Sequence, residues 1–289
     1  MRDRVAVLLR LNVTLAVLFL GACKPAIVQR LGVPKTTTAN AGGQLGALRG
    51  SWRYRPGTQQ SFYVLEQRAR LTSASDTESR IDSVSSRTEV AFAFSAAGKT
   101  VTGMVTAFQV QGRATAAPRG LVLPFPFAGI FSGPGGQLQL IAPTAAACVT
   151  PAVPIAQSLR DLWFQTPDTL RLGTTWADSA SYNSCRDGVP FATFSRRRFH
   201  VSAVSEREGH AFLTLARIST TSVEGGGTQS GEPVSLAGSG QGEVTYLLDV
   251  DGGKIVWARG RNTLEVTLRN KLHTQLLRQV GELQLDGAP

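Results

Sequence analysis

Serine, histidine, cysteine and the carboxylates are the side chains from which catalytic and metal centres are built. This 289-residue chain spaces them poorly for either purpose. Gly238-Ser239-Gly240-Gln241-Gly242 comes near the nucleophile elbow of serine hydrolases. It lacks a glycine two places before the serine, and it leads into a strand pattern where the elbow needs a helix. With Gly225-Gly226-Gly227 the same run offers backbone amides to a phosphate, yet no helix start follows to complete a cradle. Turns between strands are the expected use of both glycine runs. Asp249-Val250-Asp251-Gly252 begins like a calcium loop, but Gly253 and Gly260 stand where later ligands belong, and Asp-Gly is also what a hairpin turn requires. His200 and His210 flank one expected hairpin, and His273 is remote; none has a carboxylate at ligand spacing. Asp76/Glu78 and Glu206/Glu208 fall in polar turns. No catalytic set, metal set or cofactor site is expected.

The cysteines hold more information. Arg2 and Arg4 precede an apolar stretch whose uninterrupted part, 11–20, is too short to span a bilayer, which takes about 20 apolar residues. A basic start followed by a short apolar region is the layout of a secretory leader. The leader ends in Leu20-Gly21-Ala22-Cys23, which resembles the lipobox of bacterial lipoproteins. The resemblance implies cleavage after residue 22 and acylation of the Cys23 thiol. Lys24 follows where many Gram-negative lipoproteins retained in the inner membrane carry Asp, so an outer-membrane address is implied if the organism has two membranes. With Cys23 assigned to lipid, Cys148 and Cys185 remain. In an oxidising envelope they can pair, a bridge the loop-closure model values at about 3–4 kcal/mol. The alternative is two buried free thiols. Zinc is not expected, because neither has a second ligand at the needed spacing.

Removal of residues 1–22 takes three Arg and one Asp, leaving 27 basic and 19 acidic residues, a net charge of +8. The basic residues are mostly Arg, 25 against 5 Lys, and only Arg196-Arg197-Arg198 is a cluster. Without aromatic residues arranged for base stacking, that cluster does not make a nucleic-acid surface. Residues 23–48 are rich in Pro, Thr, Ala and Gly and read as a flexible tether. Residues 49–289 form the domain.

Alternation, not helical spacing, dominates from Trp52 onward. Glu89–Phe94 turns at Ala96–Lys99 into 100–110; Arg198–Val204 turns at Glu206–Gly209 into 210–221; Glu243–Leu248 turns at Asp249–Gly253 into 255–268. The expected fold is mainly β, with long antiparallel hairpins in a curved sheet or open half-barrel. One short helix is expected over 154–165, where Ile155, Leu159, Leu162 and Trp163 share helical spacing. It would join two halves, 49–150 and 168–289. The pattern Glu89-Val90-x-Phe92 returns as Glu243-Val244-x-Tyr246, a faint sign of duplication. Residues 271–285 admit two readings: Leu272, Leu276, Val280 and Leu283 suit a helix, while Leu283 and Leu285 after the preceding strand suit another antiparallel edge, the reading favoured.

The run 121–131 (LVLPFPFAGIF) is unusual. Pro124 and Pro126 oppose ordinary ladder pairing, yet Phe125, Phe127, Ile130 and Phe131 require burial. One reading is a strand end and loop over the core; the other is an apolar lip which, with Leu159 and Trp163, contacts a hydrophobic ligand.

Leu170-Arg171-Leu172-Gly173-Thr174-Thr175-Trp176 resembles a turn motif of uncharacterised bacterial lipoproteins, where it opens the second half of a β-rich domain. More distantly, the layout is similar to open β half-barrels of the envelope that carry lipid or lipoproteins. These resemblances imply a place and a shape without a reaction. The expectation is a lipid-anchored, non-enzymatic binding or structural module of the cell envelope. A carrier of lipid or another hydrophobic ligand is the alternative, and a hydrolase without a recognisable motif comes third. The expected partners are the membrane, through the anchor, and a hydrophobic ligand or envelope protein, but not nucleic acid.

Overall fold

The computed structural model describes residues 50–75, 79–112, 122–132, 137–140, 159, 163–186, 189–229, 231–271 and 273–287. Eleven strands make up the described fold: β1 Ser61–Ser75, β2 Ser79–Phe94, β3 Thr100–Gly112, β4 Phe125–Ser132, β5 Gln137–Leu140, β6 Thr175–Arg186, β7 Val189–Arg207, β8 His210–Gln229, β9 Glu232–Asp249, β10 Lys254–Arg269 and β11 Thr274–Gly287. They form one antiparallel sheet in the order β5-β4-β3-β2-β1-β11-β10-β9-β8-β7-β6. The sheet is an up-and-down meander, except that the first strand pairs with the last, from Tyr63 opposite Gly287 to Ser75 opposite Gln275. The stretches 49–150 and 168–289 therefore contribute to a single sheet.

Alternation builds these strands, most regularly on β7. On β7, Val189, Phe191, Thr193, Ser195, Arg197, Phe199 and Val201 are all buried, while the residues between them are exposed. The turns follow from backbone chemistry. Glu208 and Gly209 both take positive φ in the two-residue β7–β8 loop, the geometry whose twist matches paired strands. At the β9–β10 turn Asp249 Oδ1 accepts the Gly252 N–H and Asp251 Oδ2 accepts the Ala211 N–H, both at 2.8 Å. The Asp-rich run is thus a turn, and among the described residues no group of three metal-binding side chains exists.

The sheet curls around an aromatic plug. In sheet order β4 and β7 are eight steps apart, which would separate them by about 38 Å if the sheet were flat. Yet two consecutive residues bridge that gap. Trp163 lies 5.8 Å from the Phe127 ring on β4, and Phe164 lies 5.0 Å from the Phe199 ring on β7. The curl also brings the edge strands β5 and β6 within 8 Å, Cα to Cα, without ladder pairing. The result is the expected curved, open β architecture. The expected helix at 154–165 falls largely outside the described residues, and from Trp163 to Gln165 the chain is irregular.

Within the run 121–131, the residues from 125 on belong to strand β4. Pro126 sits in its ladder opposite Met104, and β5 pairs only with 129–132, so Pro126 has a described neighbouring strand on one side alone. One expectation changes: the glycine runs are not turns. Gly225–Gly227 lie within β8 and Gly238–Gly242 within β9. A Cβ at Gly225 would collide with Phe191, and one at Gly238 would stand 2.5 Å from the Glu265 carbonyl oxygen. These glycines let neighbouring strands and side chains lie close.

Candidate functional site

The plugged end of the barrel is assembled by residues far apart in sequence. Trp52 and Leu170 form an isolated bridge, with N···O distances of 2.8 and 2.7 Å. Segment 52–57 then crosses to the opposite side, where the Gly57 N–H donates to the Gly253 carbonyl and the Gly57 carbonyl accepts from the Phe94 N–H. Phe92 on β2 is stacked on Tyr63 at 4.7 Å and meets Trp163 edge-on at the same distance. Phe164 meets Tyr246 edge-on at 5.0 Å, and Trp176 stacks on Phe199 at 5.0 Å. Leu159 is fully buried in the same cluster. The Leu170–Trp176 motif has a definite local role. Leu170 is buried, Gly173 takes φ +84, its N–H donates to the Val201 carbonyl, and Trp176 supplies the stacked ring.

The residues proposed for a hydrophobic ligand divide by strand parity. Phe127, Leu159 and Trp163 are core residues, and Phe125 is partly buried against that core. Ile130 faces outward and is 42 % exposed. Phe131 lies on β4, with its side chain outside the described set. The space beside Trp163, bounded by Tyr54, Tyr63, Phe92 and Phe164, is about 10 Å³, room for one water rather than an acyl chain.

Beyond the plug the interior is layered. A polar belt of Gln67, Ser86, Asp178, Ser195, Arg197, Ser219, Thr221 and Asn262, all buried, separates the large apolar cluster from a smaller one of Phe191, Val223, Leu236, Leu264 and Val266. Its centre is a bidentate ion pair. Arg197 Nε and Nη2 donate to Asp178 Oδ1 and Oδ2 at 2.6 and 2.7 Å, with both side chains 1 % exposed. The Arg197 guanidinium also lies 5.7 Å from the Phe199 ring centre. Sequence reasoning took Arg196-Arg197-Arg198 as one cluster. Alternation with Phe199 and Phe191 was the available signal that the middle arginine points inward while its neighbours point out.

The three histidines do not converge. His200 lies opposite Ala216 and His210 opposite Arg207, so six residues of β8, about 20 Å, separate the two histidines. His210 Nδ1 is 3.3 Å from Asp249 Oδ1 at the hairpin end, and His273 lies before β11. Burial, with smaller contributions from Tyr63 and Asp249, raises Tyr54 far above the ordinary tyrosine value. Burial also raises Tyr63, against hydrogen bonds from Ser61 and Ile255 that lower it. Partial burial pushes Asp286 up, but hydrogen bonds from Arg259 and Gln284 and the guanidinium charge outweigh it and hold the carboxyl below its usual range.

The outer wall is charged. Arg87 bridges Glu66 and Glu89 at 3.1 and 3.3 Å, Arg259 pairs with Asp286 at 2.7 Å, and Arg261 lies 3.6 Å from Glu282. Two shallow grooves of about 510 and 570 Å³ run over this wall; the first is lined by Glu66, Glu243 and Glu282 against Arg68, Arg259 and Arg261. Cys23 and Cys148 lie outside the described residues, and Cys185 is described only by its backbone position on β6, opposite Pro190.

No protein-family profile matches the chain, and no curated protein matches it. Among solved structures it is similar to Neisserial surface protein A, at 8% identity over 79% of this chain and 98% of that one, with a TM-score of 0.19. It is also similar to OpdQ of Pseudomonas aeruginosa, at 7% identity over 80% and 100% of the two chains and a TM-score of 0.23. A DUF1329 family protein from Desulfovibrio piger is similar at 7% identity over 75% and 83%, with a TM-score of 0.14. At these values the likenesses bear on nothing further.

Proposed function

We propose that this chain is a lipid-anchored protein of the bacterial envelope whose barrel is a binding or structural module and not a catalyst. The observation that supports it most is the combination of a charged outer wall with a filled end. A membrane-embedded barrel wears an outward apolar band about 25 Å tall. Here the corresponding face of β1, β2, β10 and β11 carries Glu66, Arg87, Arg259, Arg261 and Glu282 in ion pairs. Such a wall belongs in water, and the leader ending at Cys23 supplies the attachment that the barrel itself does not. The dispersal of the histidines favours binding over chemistry.

The test is the mature protein's mass. Acylation at Cys23 adds a diacylglyceryl group and leaves Cys23 as the first residue; an unacylated chain starting elsewhere would refute the anchor. Native mass spectrometry of the detergent-extracted protein should then show no bound lipid beyond the covalent one.

The carrier reading has one observation in its favour. The plug around Trp163 is not a sheet strand, so its withdrawal would bare an apolar surface from Tyr63 to Phe199. Against it, the polar belt interrupts the apolar interior among the described residues. A noncovalent lipid adduct that persists in the native mass spectrum would favour the carrier.

A further inference from the structure

Exposed apolar side chains stand on the outer wall at Ile81, Phe194, Ile218, Leu276 and Val280, and beside the plugged end apolar residues line up across adjacent strands. Phe62 on β1 lies opposite Ala91 on β2, Ala91 opposite Met104 on β3, and Met104 opposite Pro126 on β4. Phe62, Met104 and Pro126 point away from the core, since their chain neighbours Tyr63, Val105 and Phe127 are buried, and Ala91, paired between Phe62 and Met104, shares their face although it is itself buried. They make an apolar row across four adjacent strands. Phe62 is 55 % and Met104 37 % exposed, while Ala91, flanked by both, keeps 1 %. Ile130, further along the outward face of β4, extends the surface. The next outward pair along β1 and β2, Val64 opposite Glu89, begins the charged wall.

We propose that this row rests on the bilayer to which the chain is anchored. The inference depends on the anchor reading above. Two features choose a membrane as the occupant. First, the chain enters the described structure at the same end. Residue 50 leads into segment 52–57, Gly57 bonds to Phe94 at the end of β2, and Phe62 is five residues further on. Second, the 27 residues from 23 to 49 cannot span more than about 95 Å even fully extended. That holds the domain at high effective concentration against the lipid surface, so a small apolar row suffices to orient it. The parity of β4 gives the run 121–131 two uses: Phe125 and Phe127 face inward to close the plug, and Pro126 and Ile130 face the lipid.

The test uses the mature acylated protein in vesicles of phosphatidylethanolamine and phosphatidylglycerol that contain a diazirine-bearing phospholipid. After photolysis, lipid adducts are expected on peptides carrying Phe62, Met104 and Ile130, and not on those carrying Leu276 and Val280, apolar residues exposed on β11. Replacing Phe62→Ser and Met104→Ser together should lower domain labelling about tenfold while leaving the protein vesicle-bound, whereas Leu276→Ser with Val280→Ser should leave labelling unchanged. Adducts confined to the tether, adducts spread evenly over the barrel, or protein–protein dimers through Phe62 would each overturn the proposal. An unacylated mass at Cys23 would refute the anchor itself, a result distinct from the labelling pattern.

Discussion

Asp178 and Arg197 hold the edge strand β6 to β7 through two charge-assisted hydrogen bonds inside the barrel. Removing one member leaves a buried charge without its counter-ion. Asp178→Ala should therefore lower stability by about 3–5 kcal/mol in urea unfolding. Replacing both members with apolar residues, Asp178→Leu with Arg197→Met, should recover most of that loss. A second residue-scale expectation concerns alkali. Folded Tyr54 stays protonated where an unfolded tyrosine, with a pKa of about 10, begins to ionise. A raised folded value means the stabilisation is complete below that pH and lost above it. Unfolding free energy should thus fall as the pH rises above about 10, and Tyr54→Phe should flatten the fall. The sequence did not make either residue legible. The arginine triplet resembled a surface cluster, and the acceptor of the Tyr54 hydroxyl, the Gly253 carbonyl at 3.4 Å, lies nearly two hundred residues away.

At the scale of elements, the hairpins were readable because local alternation and turn residues both specify them. The β7–β8 loop and the β9–β10 turn fall where Glu-Gly and Asp-Gly placed them. What misled were residues whose local preference yields to packing. Proline argued against a strand at 125–132, but an unpaired side tolerates it. Glycine argued for turns at 225–227 and 238–242, but close neighbours require it within strands. Gly225→Ala should accordingly destabilise by about 1–3 kcal/mol through overpacking against Phe191. The plug was half visible: Leu159 and Trp163 announced an apolar face, but not that it would fill the mouth it was expected to line. Trp163→Ala should cost about 3–5 kcal/mol in chemical denaturation, since it vacates a site walled by Phe92 and Phe127. Ile130→Ala should cost little, because its side chain already meets solvent.

At the scale of the molecule, curl and order come from one sheet whose first and last strands are neighbours. That pairing has a consequence for how the protein is made. The chain emerges from its amino end, so β1 must wait for β11, the final strand, before one of its edges is covered. Until then the early strands form a β sheet with an open flank, the arrangement that invites pairing with a second chain. Contacts that span more than two hundred residues also raise the contact order, and folding slows as it rises. A chain truncated before residue 274 should therefore aggregate instead of yielding a smaller barrel, as light scattering during refolding would show. The last fourteen-residue strand is the clasp on which the whole assembly line depends.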